Sequence, residues 1–389
     1  MLQEWTTKPL GSITQTASGG TPDKKHPEYY DGDILWVRSG ELDKGTIVDT
    51  EIKVSQKGID NSSAKVFPEG TLLVALYGAT IGKLAFLGRD AATNQAVCGI
   101  FRSDEVILNY IYYYLLFQRS NLIKQGIGGA QPNISQSILK KLCIPYPISV
   151  KEQERIVSRI EELFSELDAG VETLQKIKQQ LSVYRQAVLK EAFDQCSEFV
   201  AFGTITESRL GKMLDQEKNI GTPRKYLRNI NVRWFSFDLS DMLEMRIAED
   251  ELDKYSIQKG DLVICEGGEP GRCAVWQGDE RIFYQKALHR VRFKDDSNPL
   301  FYMYYLWHAA QIGRLNPFFT GTGIKHLTGQ SLVKVPVPNI GRLQQDKTVS
   351  EIETRLSLCD DIEKTVDQAL QQSAAMRKSI LKQAFEGGL

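Results

Sequence analysis

No C-x-x-C pair and no H-E-x-x-H spacing occurs among the six cysteines and four histidines of the chain. That absence argues against a disulfide framework or a zinc centre and fits a reducing cytoplasm. No long apolar run occurs either. The greasiest stretch, Tyr110 to Phe117, is far too short to span a bilayer. The opening MLQEWTTKPLGSI has no apolar signal core, so the expectation is a cytoplasmic protein without membrane contact. Charge of one sign is missing as well. A formal net charge of −1 argues against a polycation held to its partner by bulk charge, but not against a reader whose basic groups cluster locally. What is present is 42% hydrophobic residues, an ordinary globular content. The length predicts roughly two to three domains.

The sequence also repeats itself. Leu10-Gly11-Ser12-Ile13 matches Phe202-Gly203-Thr204-Ile205, and Trp36-Val37-Arg38-Ser39 matches Tyr226-Leu227-Arg228-Asn229. The run from Gly70 matches the run from Gly260, with Gly82-Lys83 on Gly271-Arg272. Gln95 falls on Gln285, Tyr113-Tyr114-Leu115 on Tyr304-Tyr305-Leu306, and I-P-Y-P at Ile144 on V-P-V-P at Val335. Ile160 to Phe193 runs without a gap onto Ile352 to Phe385. The offset stays between 189 and 193 throughout. So many matches in one order mark an internal repeat.

Each half reads as α+β. Short β-branched runs bounded by glycine, such as Thr71 to Ala75 and Leu262 to Cys265, predict strands. Asn109 to Gln118 predicts a helix whose Tyr112, Tyr113 and Tyr114 pack on a sheet, with stacking on bases as the alternative. Pro145 and Pro147 close the first globular part, Pro336 and Pro338 the second, and a long helix follows each pair. The first, about Lys151 to Phe193, carries Ile156, Ile160, Leu163, Leu167, Leu174, Ile177, Leu181, Tyr184 and Val188 at steps of three and four. The second, about Leu343 to Phe385, carries Val349, Ile352, Leu356, Cys359, Ile362, Val366, Ala369, Met376 and Ile380, with Ser373 in its seam. Two such seams with a globular part between them most simply pair antiparallel, about a pseudo-twofold axis. Helices of roughly 40 residues are about 60 Å long. Major-groove faces on one side of DNA recur about every 34 Å, so the frame suits a reader of two separated half-sites.

At this point the chain resembles the specificity subunit of type I restriction-modification systems. The residues that carry the likeness are Ser18-Gly19-Gly20-Thr21-Pro22 with Tyr29-Tyr30 and Gly32-Asp33-Ile34, the run Trp36 to Leu42, and Glu152-Gln153-Glu154-Arg155-Ile156-Val157. In the second half they are Tyr226 to Val232, Lys259 to Leu262, and Gly271 to Trp276. The second helix departs from the pattern, opening Gln344-Gln345-Asp346-Lys347-Thr348-Val349. The resemblance implies target recognition domains at 1–150 and 194–340, alternating with long helices at 151–193 and 341–389. It implies double-stranded DNA as ligand, read as a bipartite site, and assembly with two adenine-methylating subunits and two motor-nuclease subunits. It implies no catalytic residue and no cofactor in this subunit.

Two stretches imitate enzyme motifs. Phe319 to Gly323 satisfies F-x-G-x-G, the glycine turn of a methyl-donor site, and Asn316-Pro317-Phe318-Phe319 resembles the catalytic N-P-P-[FY] of amino-methyltransferases. The two overlap at Phe319, and one short loop does not serve both roles. Gly267 to Arg272 lacks the G-K-[ST] ending of a phosphate loop and reads as a hairpin turn. The alternatives to a DNA reader are a methyltransferase with its own catalytic domain and a coiled-coil adaptor without DNA contact.

Phosphates are gripped by Lys and Arg, while base edges are read by Arg, Lys, Asn and Gln. The second half gathers Arg224, Lys225, Arg228, Asn229, Asn231, Arg233 and Trp234 within thirteen residues, and Arg38 stands in the place of Arg228. The expected DNA contacts are these groups except the tryptophan, together with Gly20, Thr21, Ser39, Lys83, Asn94, Gln95, Arg272, Gln285, Lys286 and Lys325. The glycine loops Gly126 to Asn133 and Gly321 to His326 match each other. The recognition segments differ most between the halves, which points to two unlike half-sites.

Overall fold

The computed structural model describes residues 4–43, 45–126, 133–215 and 217–389. The chain is mixed helix and sheet and divides into two compact units, Met1–Leu174 with Gln368–Leu389, and Gln175–Asp367.

In the first unit the strand Leu72–Ala75 is buried on both faces. Successive side chains of a strand point opposite ways. Leu72 and Val74 therefore join a core shared with the helix Leu108–Lys124, whereas Leu73 and Ala75 join a second core against another sheet. The sheet containing it runs Thr16–Ser18, Val97–Ile100, Leu72–Ala75, Leu84–Leu87, Gly45–Ile47. The facing sheet runs Lys53–Val54, Ile34–Val37, Ala91–Thr93, Val66–Phe67, with its central pair parallel. Of the expected tyrosines, Tyr112 packs on Phe86 of the sheet, whereas Tyr113 packs on Phe164 of the long helix Val150–Asp194. Tyr110 and Tyr114 donate their hydroxyls to the carbonyls of Pro145 and Cys143 at 2.9 and 2.7 Å.

The second unit repeats this strand order without a counterpart of Gly45–Ile47 among the described residues. One sheet runs Thr206–Leu210, Leu288–Phe293, Leu262–Cys265, Cys273–Val275. The other runs Leu243–Ile247, Thr222–Leu227, Ile282–Tyr284, Ser256–Ile257, again with a parallel central pair. Leu262 and Ile264 face the core of the helix Pro299–Gln311, and Val263 and Cys265 the opposite core.

The proline pairs do not simply end the globular parts. Cys143–Pro147 is itself a strand, antiparallel to Trp5–Pro9, and Pro336–Pro338 pairs with Phe199–Ala201. Prolines two apart lack their N–H groups on the same strand edge, so the other edge stays free to pair.

The long helices are Val150–Asp194 and Arg342–Phe385. Each is fixed to its preceding globular part by one buried glutamine. Gln153 accepts from Ile107 N–H at 3.0 Å and donates to the Glu105 and Pro147 carbonyls at 2.9 Å each. Gln345 accepts from Asn298 N–H at 2.7 Å and donates to the Ile340 carbonyl at 2.7 Å. In the first unit Arg377 pairs with Asp168 and lies 4.6 Å from the Phe164 ring, and Arg155 donates to the Leu389 carbonyl at 2.8 Å, so the helix segments there run antiparallel. In the second unit Lys178 meets Asp367 at 2.8 Å, Arg185 meets Asp360 at 2.6 Å, and Arg355 meets Glu191 at 2.8 Å, again antiparallel. The second helix buries Val349, Ile352, Cys359, Val366 and Ile380. Ile362 and Met376, expected in its seam, are exposed. The buried set keeps a seven-residue step from Ile352 onward, through Ser373, and leaves both outside it.

Candidate nucleic-acid interface

In each unit a central strand runs straight into an arginine. Ile34–Val37 is followed by Arg38 and a 3-10 turn, Ser39–Glu41, and Thr222–Leu227 by Arg228 and the turn Asn229–Asn231. A side chain at the end of each turn closes it. Arg38 N–H donates to Glu41 Oε2 at 2.8 Å, and Arg228 N–H to Asn231 Oδ1 at 2.9 Å. That side chain also holds the returning chain. Glu41 Oε1 accepts from Glu51 N–H at 3.1 Å, and Asn231 Nδ2 donates to the Asp238 and Asp241 carbonyls at 2.9 and 3.0 Å. The guanidinium of Arg38 then pairs with the Glu51 carboxylate. Arg228 Nη2 donates to Asp241 Oδ2 at 2.6 Å and to its carbonyl at 2.8 Å.

Two further loops lie beside this turn, and a third meets the second of them. Asn94 N–H donates to the Val37 carbonyl at 3.0 Å, and Gln285 N–H to that of Leu227 at 3.1 Å. These bonds place Gln285 on Asn94 and Lys286 on Gln95, one residue away from the sequence match. The second half is one residue shorter in its hairpin and regains two before this loop. The hairpin turns place Gly78 and Gly82, and Gly268 and Gly271, at positive φ, which glycine tolerates. Lys83 meets Asp43 there at 3.1 Å. Arg272 meets Glu269 at 2.8 Å and donates to the Asn229 carbonyl at 2.9 Å, and Trp234 Nε1 donates to Glu269 at 2.7 Å. Last, Ile134 N–H donates to the Leu76 carbonyl at 2.9 Å and Leu327 N–H to that of Glu266 at 2.7 Å. Residues 127–132 of the first glycine loop lie outside the described residues. In the second, exposed Lys325 sits on the turn closed by the Thr320 and His326 bridge.

Thr21 and Gln95 are joined by a hydrogen bond, and Ser39 is half-buried at the turn. Two expected contacts are corrected. Gly20 is buried, with its N–H on the Thr93 carbonyl at 2.9 Å and its own carbonyl on Trp36 Nε1 at 3.0 Å. Asn231 is 2% exposed and spends its amide on the turn, leaving nothing for a base edge. The cluster around Arg228 is also less compact than its spacing in sequence implies. An extended strand separates Arg224 from Arg228 by roughly 13 Å. Arg224 lies 5.7 Å from the Phe283 ring and 3.5 Å from Glu249. With Lys225 and Arg281 it lines a groove of about 610 Å³. Arg233 is exposed, 3.5 Å from Asp238.

Sequence reasoning missed the acids. Glu51 and Asp241 are related by the same offset of 190 that relates Arg38 to Arg228, which was the available signal. It also missed Lys212, which is buried, pairs with Glu251 and lies 5.6 Å from the Tyr255 ring.

The imitation motifs take ordinary forms. Asn316–Phe318 is a 3-10 turn after the helix Pro299–Gln311, with no buried strand before it, and Gly267 to Arg272 is the hairpin turn. Burial pushes the thiols of Cys98 and Cys265 up to about 11, which suits packing and not nucleophilic attack. Among the described residues, no cluster of three or more His, Cys, Asp or Glu is arranged to hold a metal, and no helix is long and apolar enough to cross a membrane.

The chain is similar to proteins of one known family. A family model described as "Type I restriction modification DNA specificity domain" matches residues 3–181 and 208–372. The type I restriction enzyme EcoKI specificity subunit of Escherichia coli K12 is 25% identical, over 99% of this chain and 89% of its own length. The MjaIX specificity subunit of Methanocaldococcus jannaschii is 32% identical over 59% of this chain and 56% of its own. Two solved structures share the fold. One, from work on complex assembly and conformational transition of the type I R-M system, has a TM-score of 0.79, 16% identity, and coverage of 99% of this chain and 98% of that one. The HsdS subunit from Thermoanaerobacter tengcongensis has a TM-score of 0.61, 17% identity, and coverage of 99% and 97%.

Proposed function

Because the chain belongs to the type I restriction modification DNA specificity family, we propose that it is the sequence-reading subunit of a cytoplasmic type I restriction-modification assembly. It binds double-stranded DNA at a bipartite, asymmetric site. The domains 1–150 and 194–340 each read one half, and the helices 151–193 and 341–389 pair as an antiparallel coiled coil that sets their spacing about a pseudo-twofold axis. Two methylating subunits and two motor-nuclease subunits supply the chemistry, and this chain supplies none.

The observation that carries this reading is the duplicated convergence of loops on Arg38 and Arg228, each beside an amide-bearing loop at 94–95 or 285–286. Arg38, Arg228, Asn229, Asn94, Gln95, Gln285 and Thr21 are the base-reading candidates, with Ser39 at the rim. Lys225, Lys286 and Lys325 are the main phosphate-gripping candidates, and Lys83, Arg224, Arg233 and Arg272, each beside a carboxylate, are weaker ones.

The test is to map methylated adenines in DNA from cells carrying this chain with its methylating partner, then to repeat the selection with Arg228→Ala. The native chain should yield a two-part site. The variant should lose about 1–3 kcal/mol of discrimination in one half only. Equal loss in both halves would refute the two-reader arrangement.

A further inference from the structure

Arg38 and Arg228 share more than position. Each opens a 3-10 turn, and each pairs with a carboxylate that is 69% exposed at Glu51 and 67% exposed at Asp241. The two acids occupy equivalent places in the halves, and each is anchored through its backbone by the residue that closes the turn. The Nε of both arginines is buried without a hydrogen bond, that of Arg38 lying 3.7 Å from the Glu41 carboxylate, and among the described residues Nη1 of neither guanidinium has a partner. One face of each guanidinium is thus committed to the protein, and a donor edge remains.

A guanidinium that carries its own counter-ion is poorly suited to gripping phosphate, since that grip draws on net charge and on released counterions. What it keeps is directional donors. Guanine is the one base whose major-groove edge presents two acceptors and no donor or methyl, whereas adenine pairs its acceptor with an amino donor and thymine with a methyl group. An exposed carboxylate next to the arginine also repels a phosphate. We propose that Arg38 with Glu51, and Arg228 with Asp241, are equivalent guanine readers, so that each half-site holds a G·C pair at the corresponding place. Glu51 and Asp241 are positioning residues that fix the guanidinium for base contact.

This inference rests on the specificity-subunit reading and is tested on the chain assembled with its methylating partner. The probes are duplexes of the mapped site in which each guanine in turn is replaced by 7-deazaguanine, which loses the N7 acceptor. One position per half should weaken native binding roughly two- to tenfold, part of what a bidentate contact contributes. Arg228→Ala should abolish that sensitivity in the second half and keep it in the first, and Arg38→Ala should do the reverse. Asp241→Asn should blunt the same single position and Asp241→Glu should restore it. A merely structural acid would not give that pattern. Absence of sequence-specific binding by the native assembly defeats the specificity-subunit reading itself. Specific two-part binding without a 7-deazaguanine-sensitive position in each half, or sensitivity that survives the arginine variants, defeats the guanine readers alone. If Asp241→Asn tightens binding to every sequence equally, the acid is an electrostatic screen and its positioning role falls.

Discussion

Replacing Gln153 or Gln345 with alanine should destabilise one unit at a time. Gln153 is fully buried, and its amide serves three backbone groups, at Glu105, Ile107 and Pro147. Alanine strands one N–H and two carbonyls away from water and opens a cavity. Each stranded group costs about 1–3 kcal/mol, and the costs overlap because the three share one site. A loss of about 3–5 kcal/mol from the first unit follows. Gln345 is 2% exposed and makes two bonds of 2.7 Å with a longer one of 3.4 Å to the Tyr302 hydroxyl, so its loss from the second unit should be slightly smaller. Urea unfolding followed by hydrogen exchange reads both. Gln153→Ala should expose the first turn of Leu108–Lys124, and Gln345→Ala that of Pro299–Gln311. A loss below about 1 kcal/mol, or equal loss of protection in both units, would refute the anchoring role. A stable Gln345→Ala chain that failed only to bind a methylating subunit would make this glutamine a contact residue instead.

Acid should weaken the second unit first. Burial holds His289 and His308 below the ordinary imidazole value, so the unfolded chain takes up their protons more readily. Their contribution is intact above about pH 6.5 and is lost as pH falls below it. The first unit has only exposed His26, so a calorimetric scan from pH 7.5 to 5.5 should lower one transition selectively, and a parallel fall of both would refute the assignment. Gly211→Ala places a Cβ 2.2 Å from the Gln285 carbonyl oxygen and must displace the loop beside Arg228. Selection should show weakened preference in the second half-site and a stability loss of about 1–3 kcal/mol, and unchanged preference would separate that loop from recognition.

The repeat and the periodicities were legible because they are set by burial. Leu262 to Cys265 reads as a strand since both faces are packed, and the two long helices start and stop within a residue of their expected limits. What was not legible depends on which groups fold beside one another. Asn231 has the chemistry of a base reader, and only the turn it closes shows that its amide is already used. The opening of the second helix departs from that of the first, yet Gln345, the residue that anchors it, is the counterpart of Gln153. A seam drawn at steps of three and four admits Met376. Met376 lies outside the seven-residue series that is buried, and so it stays in solvent.

The acids change how the basic groups should be understood. Arg38, Lys83, Arg224, Arg228, Arg233 and Arg272 each lie within 4 Å of a carboxylate, in keeping with a net charge of −1. Such pairs at exposed positions add little to folding stability. Their consequence lies in binding. Paired cations release fewer counterions on DNA, so sequence-independent affinity should be low and the share of affinity owed to correctly placed donors high. A subunit that positions enzymes on DNA gains from that balance, because non-specific sites greatly outnumber the correct one. The arginine, turn-closing residue and carboxylate recur in each unit, so under the two-reader arrangement proposed above each half of the site should be discriminated independently of the other.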